Sequence, residues 1–214
     1  MGLISDLQKS ILNEVSTRIV KYGFDGKPKV QDFYKKIPSG RQVFHLSFIR
    51  HKEDIDITVD VAVRFDSVED LINEYKPYLT KTQKKDTATL GCELGNLIEG
   101  EPRRFSLYSV DDAGDVADEI IDFFARVGIS YLEKYSDMEA ALEALSGDDR
   151  DAWLHMPFHD ERAKKAIALA FLLGPKDKFH KIAAAKEEFL TSRNEQGLET
   201  FLKLKNDLAA KLNE

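Results

Sequence analysis

The stretch that most limits how this chain can fold is Glu53 to Phe65, EDIDITVDVAVRF. Ile55, Ile57, Val59, Val61 and Val63 alternate there with Asp54, Asp56, Thr58, Asp60 and Arg64. A side-chain period of two belongs to a strand, and β-branched residues suit its pleated surface. The pattern predicts one long strand with an apolar face against a core and a polar face turned away from it. A strand this long belongs in the middle of an antiparallel sheet, where neither edge is left unpaired.

The flanking sequence completes a meander. Gln42 to Ile49 alternates with apolar residues on both faces, and His51-Lys52-Glu53 joins it to the long strand. Val30 to Ile37 reads as a shorter strand, set off by turns at Asp25-Gly26-Lys27-Pro28 and Pro38-Ser39-Gly40. Before it, Leu3 to Lys21 carries its apolar residues on one helical face and is ended by Gly23. After the long strand, Ser67 is positioned to cap a helix over Val68 to Tyr75. Residues 80–86 read as a basic loop, Thr87 to Ile98 as a strand and turn, and Arg103 to Val110 as a last strand.

From Asp111 the period becomes helical. Val116, Ile120, Ile121, Phe123, Phe124 and Val127 form an apolar stripe that Gly128 is expected to end, with Ile129 to Tyr135 as a short extension. Ser136 is the expected cap of Asp137 to Leu145. Beyond a break at Ser146-Gly147-Asp148-Asp149, helical stretches follow over 150–156, 160–173, 175–191 and 194–213, jointed at Pro157 and Gly174-Pro175. The fold expected is α+β: a curved, mostly antiparallel sheet packed by the N-terminal helix and later helices, then an all-helical C-terminal extension. The domain division expected is 1–149 and 150–214.

Composition narrows the function classes. No run approaches the ~18 consecutive apolar residues of a membrane span, so no membrane partner is expected. The single Cys92 allows no intrachain disulfide, which suits a reducing cytoplasm, and its apolar surroundings predict a buried small hydrophobe. The net charge of −7 is local: residues 111–150 hold 12 acidic and 3 basic side chains, whereas 1–110 and 151–214 each balance at +1. Such a segment repels phosphates and argues against nucleic acid as the partner.

Three aspartates could carry chemistry. Asp54, Asp56 and Asp60 fall on one face of a strand, and paired carboxylates there can ligate Mg²⁺, as in nucleotidyltransferases and nucleases. The supporting motifs are missing, because Pro38-Ser39-Gly40 reads as a hairpin turn and no Glu-x-Lys follows. A solvated sheet face is therefore expected first, a partner surface second and a catalytic set of Asp54, Asp56 and Asp60 third. His155 and His159 have helical metal-site spacing, but Pro157 interrupts the helix and no third ligand sits at the right offset. His45 reads as a satisfied core histidine, and His51 and His180 have no legible company. Lys81, Lys84 and Lys85, with Arg103 and Arg104, are the basic clusters of the first part, without interleaved aromatics.

Several segments resemble one bacterial family. IVKYGFDG running into DFYKK, the pair VFHLSFI and IDITVDVAV, LGNLIEGEPRRFSL, and EIIDFFARVGISYLEKYSDMEAALEAL are similar to the family called domain of unknown function 4304, over residues 5–145. The resemblance implies a fold and carries over no catalytic residues. Relatives of this size often accompany bacterial toxins as immunity proteins. Together these readings favour a non-enzymatic, cytoplasmic protein-binding module of immunity or antitoxin type, needing no cofactor or metal. Its expected contacts with a basic partner are Asp111, Asp112, Asp115, Asp118 and Asp122. Self-association through residues 150–214 stays open, as does the metal-dependent enzyme.

Overall fold

A computed structural model describes residues 2–27 and 30–212. The alternating segment is strand β3, Ile55–Phe65, preceded by β1, Asp32–Ile37, and β2, Gly40–Arg50. With β4, Leu90–Glu93, and β5, Phe105–Leu107, they form a five-stranded sheet in the order β1-β2-β3-β4, β5 pairing with β3. β3 is central, as its length implied. β1 lies antiparallel to β2 with Asp32 opposite His45, and β5 antiparallel to β3 with Asp56 opposite Ser106. The first strand starts later than expected because Val30 sits in a turn with φ at 66°. Pro28 of the expected turn before it lies outside the described residues, as does residue 213 of the last expected helix. The last strand shrinks to three residues, since the Ser109 hydroxyl accepts from the Asp111 amide and starts a 3₁₀ turn instead.

The helices are α1 (Leu3–Ile19), α2 (Asp66–Asn73), α3 (Lys81–Asp86), α4 (Leu94–Ile98), α5 (Ala113–Phe123) and α6 (Ile129–Tyr135). They continue with α7 (Met138–Ser146), α8 (Arg150–His155), α9 (His159–Leu173), α10 (Lys176–Ser192) and α11 (Leu198–Lys211). The chain gathers into two compact units, residues 1–62 with 92–134, and residues 63–91 with 135–214. The unit that holds the C-terminal helices thus begins at Tyr135 and also takes in 63–91.

In the first unit, Ile55, Ile57, Val59 and Val61 of β3 are buried with Phe33, Phe44 and Leu46 of the neighbouring strands. The α1 stripe of Leu7, Ile11, Val15 and Ile19 and the α5 residues Ala117, Ile120 and Ile121 are buried as well. α1 packs on α5, where Arg18 pairs with Asp118 at 2.6 Å and donates to the Gly114 carbonyl at 3.3 Å. Gly128 does not end this helix. A π-turn over Phe124–Gly128 carries the chain straight into α6. The glycine is needed for a different reason: a Cβ there would stand 2.4 Å from the Phe124 ring.

The second unit is organised around α9, on which α2, α7, α10 and α11 pack. Arg162 through Ala170 are all buried, and three of these residues are cations. Burial of a charge is tolerated only where other groups satisfy it. Arg162 donates to the carbonyls of Gly147, at 3.3 Å, and Met156, at 2.7 Å, and pairs with Asp148 at 3.1 Å. Lys186 of α10 reaches the same Gly147 carbonyl, at 2.8 Å, and Asp148, at 2.7 Å. The expected break at Ser146 to Asp149 is therefore a receptor for two buried cations. Lys165 donates to the Ala88 carbonyl at 2.7 Å, and Lys164 pairs with Glu161 at 2.6 Å.

Two local expectations change in this unit. Residues 80–86 are not a loop, because Thr80 and Gln83 form a reciprocal capping box that starts α3. Ser67 does not cap α2. That helix already begins at Asp66, whose carboxylate is held by the buried Arg64 at 2.7 Å.

Candidate functional site

The polar residues of β3 are not a solvated face. Thr58 and Arg64 are buried, and Asp56 and Asp60 are largely covered. The structure also separates the three aspartates. Asp54 lies in the loop before β3, and Asp60 stands four residues, roughly 13 Å, along the strand from Asp56.

Asp54 and Asp56 come together with a residue the sequence left without company. The four-residue loop between β2 and β3 is closed by the His51 amide donating to the Asp54 carbonyl, 3.0 Å. This places His51 Nε2 3.2 Å from Asp56 Oδ2 and 3.9 Å from Asp54 Oδ1. One ligand atom from each of the three lies within 4.8 Å of the others, a spacing that a metal ion could bridge. The electrostatics point elsewhere. Ser106 donates to Asp56 Oδ1 at 2.6 Å, and the Arg104 guanidinium stands 3.6 Å from Oδ2, so both oxygens are engaged and a cation is already beside them. The Ser106 hydrogen bond first, then His51 and Arg104, hold the Asp56 carboxyl below its ordinary range against the effect of burial. The cluster acts as a clasp on the β2–β3 hairpin. Laying the two strands side by side across that loop would have brought His51 to Asp56, and this was the available signal.

Asp60 belongs to a second group. It accepts from the Ser47 hydroxyl at 3.1 Å, and burial pushes its carboxyl up, with His45 and Ser47 opposing. His45 pairs with Asp32 at 2.7 Å. Burial works against its protonation, yet the hydrogen bond and charge of Asp32, helped by Asp60, raise its basicity above the ordinary value. The Cys92 thiol is pushed up to about 12 by burial and by the charges of Glu93 and Asp60, the opposite direction from the lowered value of an activated nucleophile. Glu93 accepts from the amides of Gly95, Asn96 and Arg103 and so folds the 94–103 segment. The close return of that segment requires Gly95, whose Cβ would stand 2.2 Å from the Arg103 nitrogen.

The other sequence candidates resolve into structural contacts. His155 is buried with Nε2 3.2 Å from the Tyr135 hydroxyl, and His159 meets Arg162 at 2.9 Å, so they form no metal pair. Arg103 pairs with Glu99 at 3.0 Å and lies over the Phe123 ring. Lys81, Lys84 and Lys85 are ordered on α3 and line a groove of the second unit with Arg64, Asp70 and Asn73.

The acidic segment behaves differently. Asp111, Asp112, Asp115, Asp118 and Asp122 are all exposed on the 3₁₀ turn and α5. Among the described residues, only Asp118 of the five has an ion pair, and Arg18 holds its carboxyl below the ordinary range. Asp111, Asp112, Asp115 and Asp122 present carboxylates to solvent without a cationic partner. No helix among the described residues is long and apolar enough to cross a membrane. No family model, curated protein or solved structure matches the chain.

Proposed function

We propose that this protein acts by binding a basic protein along the acidic edge of its first unit, as an immunity or antitoxin-like inhibitor would. One observation carries the reading: Asp111, Asp112, Asp115 and Asp122 are exposed, and without an ion pair among the described residues, on one continuous turn and helix. Of the carboxylates that could have done chemistry, Asp56 is instead tied to Ser106 and Arg104, and Asp60 to Ser47. Unpaired surface charge raises association rates and selects partners of opposite sign, an effect that salt screens. Asp118 leaves the contact set, because it anchors Arg18.

The test uses a triple variant, Asp111→Lys, Asp115→Lys and Asp122→Lys, that keeps Asp118. Immobilised wild type is expected to retain one basic protein from source-cell extract, and to release it as salt rises. The variant should lose that protein while unfolding at the same temperature as wild type. Equal retention by wild type and variant would refute the acidic edge as the binding surface.

A further inference from the structure

The first unit also contains a small cavity beside the π-turn, about 200 Å³ in volume. That is below the ~300–1,000 Å³ of pockets for drug-sized ligands and suits a small metabolite. Its walls are the rings of Tyr22, Phe24 and Phe124, with Ile129 and Leu132. Phe124 is fixed edge-on to Tyr22 at 5.5 Å and to Phe24 at 5.7 Å, and Gly128 leaves room for its ring. The walls are therefore held in place by packing. π-turns inside α-helices occur frequently at functional sites.

The polar groups on this cavity give it a chemistry. Lys35 of β1 stands opposite Gln42 of β2, and the Gln42 amide donates to the Leu132 carbonyl at 3.3 Å, tying the sheet to α6. The Lys35 side chain is half-buried with its ammonium 6.0 Å from the centre of the Phe24 ring. No anion pairs with it among the described residues. Glu133 lines the same cavity from its exposed side and has no ion pair among the described residues, so two residues of opposite charge border one space without pairing with each other. A partly desolvated charge is stabilised by a counter-charge that shares its site.

We infer that this cavity binds a zwitterion with an apolar body, a free amino acid with an aromatic or aliphatic side chain. The carboxylate meets Lys35, the ammonium meets Glu133, and the side chain lies among Tyr22, Phe24 and Phe124.

The test is calorimetric titration of the whole protein with L-phenylalanine, hydrocinnamate, which lacks the ammonium, and phenethylamine, which lacks the carboxylate. L-phenylalanine is expected to bind at least about tenfold more tightly than either analogue, a difference well within calorimetric range. Lys35→Gln should weaken L-phenylalanine and hydrocinnamate and spare phenethylamine, and Glu133→Gln should weaken L-phenylalanine and phenethylamine and spare hydrocinnamate. Ile129→Trp, which fills the cavity, should abolish binding of all three, with thermal unfolding confirming that each variant is folded. The inference is overturned if none of the three probes binds wild type. It is also overturned if phenethylamine binds as tightly as L-phenylalanine, or if Lys35→Gln leaves the affinities unchanged.

Discussion

Helices α5 and α9 are both rich in charge, and the two compact units use that charge in opposite ways. On α9 the cations point into the core of the second unit, and each one meets a carbonyl or carboxylate that the fold supplies. On α5 and the turn before it, the carboxylates stay at the surface of the first unit, and among the described residues four of the five candidates have no ion pair. The composition of a helix therefore does not say which of its charges are structural. What decides is whether a loop or a neighbouring helix brings a partner to the site. Buried charges with partners belong to stability, and exposed charges without partners are free for recognition.

The largest effect expected from this contrast is at Arg162. Arg162→Ala leaves the Met156 carbonyl without its donor and the Gly147 carbonyl and Asp148 with Lys186 alone, and a buried acceptor left unsatisfied costs about 1–3 kcal/mol. Arg162→Lys should recover only part of that, since an ammonium cannot reproduce the planar fork that contacts four groups. Chemical denaturation measures both, and a cost for Arg162→Ala near that of an ordinary surface change would break the comparison.

A smaller effect, intermediate between buried and exposed charge, is expected at His45. Its raised folded-state basicity means that the Asp32 contact stabilises the protein fully below the unfolded histidine value near 6.5. That contribution fades as pH rises through the folded value. Asp32→Asn should shift the His45 ring titration downward in NMR and flatten the pH dependence of stability in that window. An unmoved titration would show that Asp32 does not hold the proton.

The smallest effect belongs to the surface. Asp115→Lys and Asp122→Lys, each tested alone by thermal unfolding, should alter stability by no more than about 0.5 kcal/mol. A larger loss would mean that these carboxylates, like Asp148, have a structural partner.

The residues that could be read in advance and those that could not differ in a physical way. Strand β3, the α1 stripe, the acidic segment and the burial of Cys92 all follow from periodicity or composition within a few residues. Those signals are local, because side-chain direction repeats with the backbone. The α3 helix was also legible in principle, through Thr80 and Gln83, but its polar composition suggested a loop. Gly128 misled because a glycine can end a helix or admit a neighbouring ring, and only the position of Phe124 tells which.

The site residues divide along the same line. That Asp56 and Asp60 share a face of β3 is a consequence of the two-residue period and needed no structure, whereas Asp54 falls in the loop before the strand. That Asp56 is claimed by His51, Ser106 and Arg104 while Asp60 faces Ser47 required the hairpin and the β3–β5 register. The pairing of Arg162 and Lys186 with one Asp148 spans 14 and 38 residues of chain. Local pattern specifies which face a side chain takes. Which partner it finds there depends on contacts between distant segments, and only the folded chain supplies them.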